Sequence, residues 1–255
     1  MRHIRLVVEY DGATLSGWQR QANAPTVQQH LEDALAKLLD APTPVAGASR
    51  TDAGVHALGQ VAMFRTERTN IPCNGIRRAL NASLPPTIAI RDAVEVDASF
   101  HPRFSATGKH YRYVIHTRDE RSPHWHGRAW HRTRPILEIE RMAACASVLI
   151  GDHDFAAFRA AHCDAKSTIR RLTDIAIHRP EPDLVVIDIH GNAFLRNMVR
   201  IIVGTLVEAE SPAQVAEILA SKDRSRAGIT APPYGLTLVE VRYDGTRVSS
   251  DSSKR

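Results

Sequence analysis

The chain has 255 residues, of which 43% are hydrophobic and 24% are charged, values that are ordinary for a soluble globular protein. There is no run of about 18 apolar residues, so we expect no transmembrane helix, and because the start of the chain is charged we expect no secretory signal. Three scattered cysteines argue against a disulfide framework, so we expect a cytoplasmic protein with no membrane partner. The formal net charge of +5 is a weak hint of a polyanionic partner.

The N-terminal part of the chain predicts the element order β-α-β-α-β. Its segments are a strand over 3–10, a helix that Thr26 caps and that Pro42 and Pro44 end, a strand over 59–64, a helix over 73–82 and a strand over 87–96. The apolar face of the first helix is expected to consist of Val27, Leu31, Ala34, Leu35 and Leu38, which recur at helical spacing.

The rest of the chain predicts a similar mixture of strands and helices. It begins with a strand over 109–117, with Tyr111, Tyr113 and Ile115 on one face, and a helix within 136–151 that Gly151 closes. A hairpin of strands 167–179 and 184–191 follows. The last elements are an apolar helix over 194–210, a helix that Ser211 and Pro212 open, and a strand over 235–244.

Because strands and helices mix without strict alternation, the predicted fold class is α+β. We expect two β-α-β-rich halves with mixed, largely antiparallel sheets, flanked by helices and leaving a central cleft. The N-terminal half covers 1–105 and the C-terminal half covers 106–245. The tail, 246–255, has no core-forming residues and is predicted to be disordered.

The segment AGASRTDAGVHALGQVAMF, residues 46–64, contains the most suggestive cluster of polar residues. A carboxylate on a loop, here Asp52, is a candidate nucleophile or general base. It must be ionised to act, and a cation such as Arg50 favours that form. Gly54 permits a positive φ or a close backbone approach. The spacing alone also fits an ordinary turn with a solvated arginine.

Five blocks of sequence together resemble the tRNA pseudouridine synthase A family. They are YDGATLSGWQRQ, GASRTDAGVHALGQVAMF, FHPRFSATGKHYRY, AFLRNMVR and GLTLVEVRY, in the family's order. The resemblance implies that the chain isomerises uridine to pseudouridine in the anticodon stem-loop of tRNA (positions 38, 39 and 40), without a cofactor or a catalytic metal. It further implies a homodimer with tRNA as partner and makes the predicted cleft an RNA-binding cleft.

The resemblance also implies roles for individual residues. Asp52 matches the catalytic aspartate, which attacks the uracil ring or the sugar carbon, or removes a ribose proton to give a glycal; the sequence leaves these routes open. Arg50 matches the arginine that holds the target nucleotide out of the stack. Tyr111 matches the tyrosine that packs on the target base, and Leu236 an apolar position near the uracil. Without the resemblance, Tyr111 and Leu236 fit plain core positions.

Four basic residues are candidates for contacts with the RNA backbone. Arg196 and Arg200 are four residues apart and are expected on one face of the helix over 194–210. Lys166 and Arg170 belong to a second basic cluster. Both pairs fit a solvated surface as well as contacts with phosphates. The sequence departs from the family pattern at Ser49, where glycine is usual, and at Asn197, where histidine is usual.

Two other classes of function compete with the isomerase. An N-glycosylase would use Asp52 to stabilise an oxocarbenium ion and would release free base. A catalytically silent RNA-binding module would consist of two RRM-like halves, but the RRM signature strand is missing from the sequence. A metal site at His153, Asp154, His162 and Cys163 lacks the usual ligand spacing.

Overall fold

The computed structural model describes residues 1–134, 136–161, 163 and 165–244. The predicted disordered tail, 246–255, lies outside these residues. Contacts between Cα atoms divide the chain into two units, the first formed by Met1–Thr107 with the residues from Leu238 onward and the second by Gly108–Thr237. Within the described ranges, no helix is long and apolar enough to cross a bilayer.

Helices and strands follow one another in a mixed order. In chain order they are β1 (Arg2–Tyr10), α1 (Val27–Leu39), β2 (Ala46–Gly47), β3 (His56–Thr66), α2 (Cys73–Ser83), β4 (Ile88–Val96), β5 (Ala106–His116), β6 (Trp130–His131), α3 (Ile139–Ser147), β7 (Gly151–Asp154), β8 (Ile169–Glu181), β9 (Leu184–Gly191), α4 (Met198–Glu208), α5 (Pro212–Ser221) and β10 (Leu236–Tyr243). Short 3-10 turns lie at Ala156–Phe158, Arg224–Arg226 and Pro233–Gly235.

In the first unit, the strands lie in the order β4-β1-β3-β10. β1 pairs antiparallel with both β3 and β4, and its residues Ile4, Leu6 and Val8 are fully buried. The last strand was assigned to the C-terminal half by sequence. From Leu238 onward it groups with the first unit instead, because β10 neighbours β3.

The first helix begins as predicted but its buried face differs by one residue. Thr26 caps α1, because its Oγ1 accepts a hydrogen bond from the Gln29 backbone N–H at 3.3 Å. Leu39 is buried, whereas Leu38 is only half-buried. Leu39 is four residues after the buried Leu35 and lies on the same face of the helix, whereas Leu38, three residues after Leu35, lies at the edge of that face. The helix ends at Leu39, before the prolines are reached, and the next residue, Asp40, adopts the left-handed conformation (φ 54°).

In the second unit, the strands lie in the order β5-β9-β8-β7 and pair antiparallel, while β6 pairs parallel with β5. The apolar helix α4 is buried over residues 198–207 except at the half-buried Arg200, and Ile201, Ile202 and Val203 are inaccessible to solvent. These mixed and largely antiparallel strands, together with the helices, confirm the predicted α+β class.

Two strands of the second unit, β6 and β7, are not predicted from the sequence. The sequence predicts that Gly151 closes a helix, but α3 already ends at Ser147. Gly151, with φ +113°, instead begins β7. The sequence of β7, GDHD, has no apolar alternation, so its pairing with β8 could not be predicted from periodicity.

Candidate active site

Asp52 lies on the loop between β2 and β3, and hydrogen bonds fix the loop just before it. The Tyr10 hydroxyl and Thr51 Oγ1 are 2.7 Å apart, and the Trp18 backbone N–H donates to the Thr51 carbonyl at 3.1 Å. Asp52 itself is half-buried, whereas Arg50 is exposed. The backbone that presents the Asp52 carboxylate is therefore held by both β1 and the segment that contains Trp18.

Trp18, whose backbone holds Thr51, is itself packed in the interior and only 2% exposed. Two glycines allow the close approach. A Cβ atom on Gly17, which has φ +91°, would lie 2.6 Å from the Thr51 carbonyl oxygen, and one on Gly47 would lie 2.5 Å from the Trp18 ring. Side chains at these two positions would push Trp18 and the Asp52 loop apart.

Further hydrogen bonds fix the loop at both of its ends. The Val55 backbone N–H donates to the Asp52 carbonyl at 3.2 Å. Gln60, which is fully buried, holds the backbone of Ser49 by donating to its carbonyl at 2.8 Å and accepting from its N–H at 3.2 Å. Ser49 is not among the described residues with positive φ, so a serine fits where the family usually has glycine.

Tyr111 lies on β5 in the second unit and is only 6% exposed. Its ring meets Phe194 edge to face, with centroids 5.1 Å apart. Tyr113, on the same strand face, is structural: its hydroxyl donates to the Pro232 carbonyl at 2.8 Å. Burial raises the pKa of Tyr113 well above its ordinary value. Phe194 was not singled out by sequence, because only the fold brings it to Tyr111.

The predicted placement of Arg196 and Arg200 on one helix face is wrong. Asn197 adopts the left-handed conformation (φ 60°, ψ 3°) and α4 begins only at Met198. Arg196 therefore precedes the helix and is exposed. Arg200 lies in the first turn, where its Nε donates to the Ala231 carbonyl at 2.7 Å and its Nη1 donates to Asn197 Oδ1 at 3.0 Å.

The remaining candidates also lie in the second unit. Lys166 is exposed in the segment before β8, and Arg170 pairs with His153 across β7 and β8. Arg170 Nη1 donates to the carbonyls of two residues just before it in the chain, at 2.9 and 2.6 Å. Leu236, the first residue of β10, is buried at 5% exposure. This burial fits the plain core interpretation and leaves its predicted role near the uracil a prediction.

The contacts of Gly191 indicate that Tyr111 and Arg170 lie at the same end of the sheet in the second unit. It pairs with Lys109 of β5 and with Leu172 of β8. A Cβ atom there would lie 2.8 Å from Leu172 and 3.1 Å from Phe194. The ends of β5, β8 and β9 that carry Tyr111 and Arg170 are thus adjacent within the second unit.

A charged cluster on β5 and β9 was not predicted. Asp188 Oδ1 lies 2.5 Å from His110 Nε2 and accepts from Arg112 Nε at 2.9 Å, while its Oδ2 accepts from Arg112 Nη2 at 3.1 Å. Burial by itself raises the pKa of Asp188, but the hydrogen bonds and charges of both partners outweigh it and lower that pKa to about 2. The alternation of side chains along β5 could have placed His110 and Arg112 on one face. Only the pairing of β5 with β9 brings Asp188 next to them.

In the described part of the chain, no group of three or more His, Cys, Asp or Glu side chains could hold a metal ion. His162, one of the four side chains of the disfavoured metal site, lies outside the described residues.

A family model described as tRNA pseudouridine synthase matches residues 6–105 and 145–244 of the chain. The chain is also 51% identical over 247 residues to the tRNA pseudouridine synthase A of Geotalea uraniireducens (strain Rf4), covering 95% of this chain and 100% of the relative. The chain belongs to the tRNA pseudouridine synthase family.

A second tRNA pseudouridine synthase A, from Thermoanaerobacter sp. (strain X514), is 48% identical with the same coverage of both chains. Membership of the tRNA pseudouridine synthase family confirms the resemblance found by sequence. The protein is therefore an RNA-binding isomerase that modifies tRNA, and not a silent RNA-binding module.

A solved structure, "Crystal Structure of a Cbf5-Nop10-Gar1 Complex", is similar to the chain at 8% identity and a TM-score of 0.39, over 92% of this chain and 57% of that chain.

Proposed function

We propose that the protein converts uridine to pseudouridine in the anticodon stem-loop of tRNA and that Asp52 is its catalytic residue. One observation carries the proposal: Asp52 is half-buried on a loop whose flanking residues are hydrogen-bonded on both sides, at Thr51 and at Val55. A carboxylate that is held in place before the substrate binds does not lose further conformational entropy when it reacts.

The reaction rearranges a single nucleotide. The bond between uracil N1 and ribose C1′ breaks, a bond between uracil C5 and C1′ forms, the proton on C5 leaves to solvent and N1 gains a proton. Asp52 acts as nucleophile on the ring or the sugar, or as the base that removes a ribose proton. No atom is gained or lost, so the proposed reaction uses no cofactor.

Other residues are proposed to bind the tRNA. Tyr111 packs on the target uracil, Arg50 holds the nucleotide out of the stack and Leu236 provides an apolar contact. The residues proposed to contact phosphates are Lys166, Arg170, Arg196 and Arg200. We further propose that the protein acts as a cytoplasmic homodimer, with the aspartate loop in the first unit and the tyrosine in the second.

The proposal is tested with unmodified tRNA that carries tritium at C5 of uridine, without added cofactor. We expect the wild-type protein to release tritium. The variant Asp52→Asn should lower that rate by at least about a hundredfold while binding tRNA as before. Asp33→Asn is the matched control, since Asp33 is an exposed carboxylate of the same unit, and it should leave the rate unchanged.

Three outcomes would contradict the proposal. Free uracil in place of tritiated water would indicate an N-glycosylase. Full turnover by Asp52→Asn would remove Asp52 from the chemistry. Tritium release from uridines outside the anticodon stem-loop would contradict the proposed site on the tRNA.

A further inference from the structure

The loop between β4 and β5 presents an aromatic ring to solvent. Phe104 is 78% exposed, more than any other large apolar side chain among the described residues. The other large apolar side chains that are exposed there are aliphatic or methionine. A single exposed apolar residue is common on protein surfaces, so a role for Phe104 depends on how its loop is constructed.

The Phe104 loop is held in one conformation by its own hydrogen bonds. The His101 backbone N–H donates to Ser105 Oγ at 3.0 Å, and the Ser105 N–H donates to the His101 carbonyl at 2.9 Å. The His101 ring nitrogen Nδ1 accepts from the backbone N–H groups of Arg103 and Phe104, at 3.1 and 3.3 Å. These bonds fix the backbone that carries Phe104.

The same loop is attached firmly to the first unit. The Tyr243 hydroxyl donates to the Pro102 carbonyl at 2.7 Å, and the Phe100 ring packs on the Tyr243 ring with centroids 5.1 Å apart. Tyr243 ends β10, the strand that neighbours β3. The exposure of Phe104 is therefore a feature of an ordered loop, and binding there would require little additional ordering.

The groups around Phe104 define what it can bind. The His101 ring centroid lies 4.4 Å from that of Phe104, and the Arg103 guanidinium lies 5.8 Å from the Phe104 ring centroid. The one acidic residue of the loop, Asp97, stands at its start, where its Oδ1 accepts from the Ser99 backbone N–H at 2.9 Å; residues 98–105 contain none, and Arg103 is exposed. A flat apolar ring beside an exposed cation matches a nucleobase beside its phosphate, because every base offers a π face and every nucleotide a negative charge.

We propose that Phe104 is a stacking platform for an unpaired base of the tRNA other than the uridine that is isomerised, and that Arg103 contacts a neighbouring phosphate. This inference rests on the proposed function, because it takes tRNA as the substrate. Phe104 is a positioning residue in this scheme, since it holds the tRNA but takes no part in the bond rearrangement.

The test compares three substitutions of Phe104 by their dissociation constants for tRNA and by the rate of tritium release at saturating tRNA. Phe104→Ala and Phe104→Leu should weaken binding roughly tenfold to a hundredfold, the range expected for one stacked base. Phe104→Tyr keeps an aromatic ring and should bind like the wild type. The rate at saturation should be unchanged in all three, so that KM rises and kcat does not.

Two further variants sharpen the comparison. Ile136→Ala, at another highly exposed apolar side chain (71%), should leave tRNA binding unchanged. Arg103→Ala should make the logarithm of the tRNA affinity fall less steeply with the logarithm of the salt concentration, by roughly the amount that one phosphate contact contributes. Because Phe104 is exposed, its variants should match the wild type in thermal unfolding, which verifies that they are folded.

The inference would be overturned if Phe104→Ala bound tRNA with the dissociation constant of the wild type. It would also be overturned if Phe104→Leu and Phe104→Tyr bound tRNA equally well. A change of oligomeric state in Phe104→Ala, measured by sedimentation without tRNA, would instead assign Phe104 to a contact between two copies of the chain. If the wild type bound tRNA but released no tritium, the proposed function would fail. The binding constants of the Phe104 variants would still decide whether a base stacks there.

Discussion

Asn197 and Arg200 form a hydrogen-bonded pair at the start of α4. Arg200 Nη1 donates to Asn197 Oδ1 at 3.0 Å, and Asn197 adopts the left-handed conformation with φ 60°. Asparagine tolerates this conformation better than most residues with a side chain. The residue that departs from the family pattern therefore both starts the helix and orients an arginine proposed to contact RNA.

Substitution of Asn197 should separate its two contributions. Asn197→Gly accepts a positive φ without strain but loses the hydrogen bond to Arg200. Asn197→Ala loses the hydrogen bond and also introduces strain of about 1 kcal/mol. We expect urea unfolding to show Asn197→Ala as the less stable variant by about that amount. Equal stabilities would mean that the left-handed conformation is not maintained in solution.

Gly47 is predicted to be essential for the support of the Asp52 loop. A Cβ atom in Gly47→Ala would lie 2.5 Å from the buried Trp18 ring, so the ring must move. We expect a loss of about 1–3 kcal/mol in the free energy of unfolding and slower tritium release, because the Trp18 backbone N–H holds Thr51.

The control for this change is Gly75→Ala. Gly75 lies in α2, and a Cβ atom there would make only ordinary contacts at 3.4 Å. Since alanine favours a helix more than glycine does, this variant should be as stable as the wild type or more stable. Equal destabilisation by both substitutions would show that the contact with Trp18 is not the cause.

Asp188 should make stability depend on pH in the acid range. Its folded-state pKa, about 2, lies below the ordinary value of 3.8. The ionised carboxylate therefore stabilises the fold above about pH 4, by about 2 kcal/mol. That contribution is lost as the pH falls from about 4 to about 2. Asp188→Asn should thus be less stable than the wild type at neutral pH, and the difference should shrink towards pH 2.

The matched control for Asp188 is Asp152→Asn. Asp152 lies 3.9 Å from Arg171 in the same unit, but both side chains are more than 60% exposed, and exposed ion pairs contribute little. Urea unfolding between pH 2 and pH 7 measures both variants. A pH-independent difference between the wild type and Asp188→Asn would contradict the assigned pKa.

Tyr111 is expected to matter for turnover and Tyr113 for stability. Tyr111→Phe keeps the ring that is proposed to pack on the uracil and should bind tRNA normally. Its turnover falls only if the hydroxyl relays a proton. Tyr113→Phe removes the hydrogen bond to the Pro232 carbonyl and should cost about 1 kcal/mol of stability with little change in turnover.

Tyr111→Ala distinguishes the two interpretations of this buried tyrosine. If Tyr111 packs on the substrate, tritium release should fall by more than the stability loss explains, when it is measured well below the melting temperature. A variant that is merely unstable, with normal turnover of its folded fraction, would indicate a core residue only.

Much of the local structure could be predicted because it depends on neighbouring residues. Thr26 and Ser211 cap helices as expected, since a side-chain oxygen can accept from a backbone N–H three residues later. The alternation in β5 buries Tyr111, Tyr113 and Ile115 on one face. These relationships span only a few residues, so periodicity and capping rules capture them.

Other features depended on contacts between distant segments. The helix over 194–210 was predicted to include Arg196, because its apolar pattern is continuous. The backbone of Asn197 interrupts it, and Arg200 is then held by Ala231, far away in sequence. Likewise β7 exists only because β8 offers it a partner strand.

The amino-acid sequence by itself determined the α+β class, most of the helices and strands, and membership of the tRNA pseudouridine synthase family, because motifs and periodicity are properties of the chain. Tertiary structure alone decided which residues meet: the Trp18 ring with the backbone of Gly47, Tyr111 with Phe194, and Asp188 with His110 and Arg112. The physical reason is that strand pairing and packing join segments that are far apart along the chain, and no local pattern records that pairing.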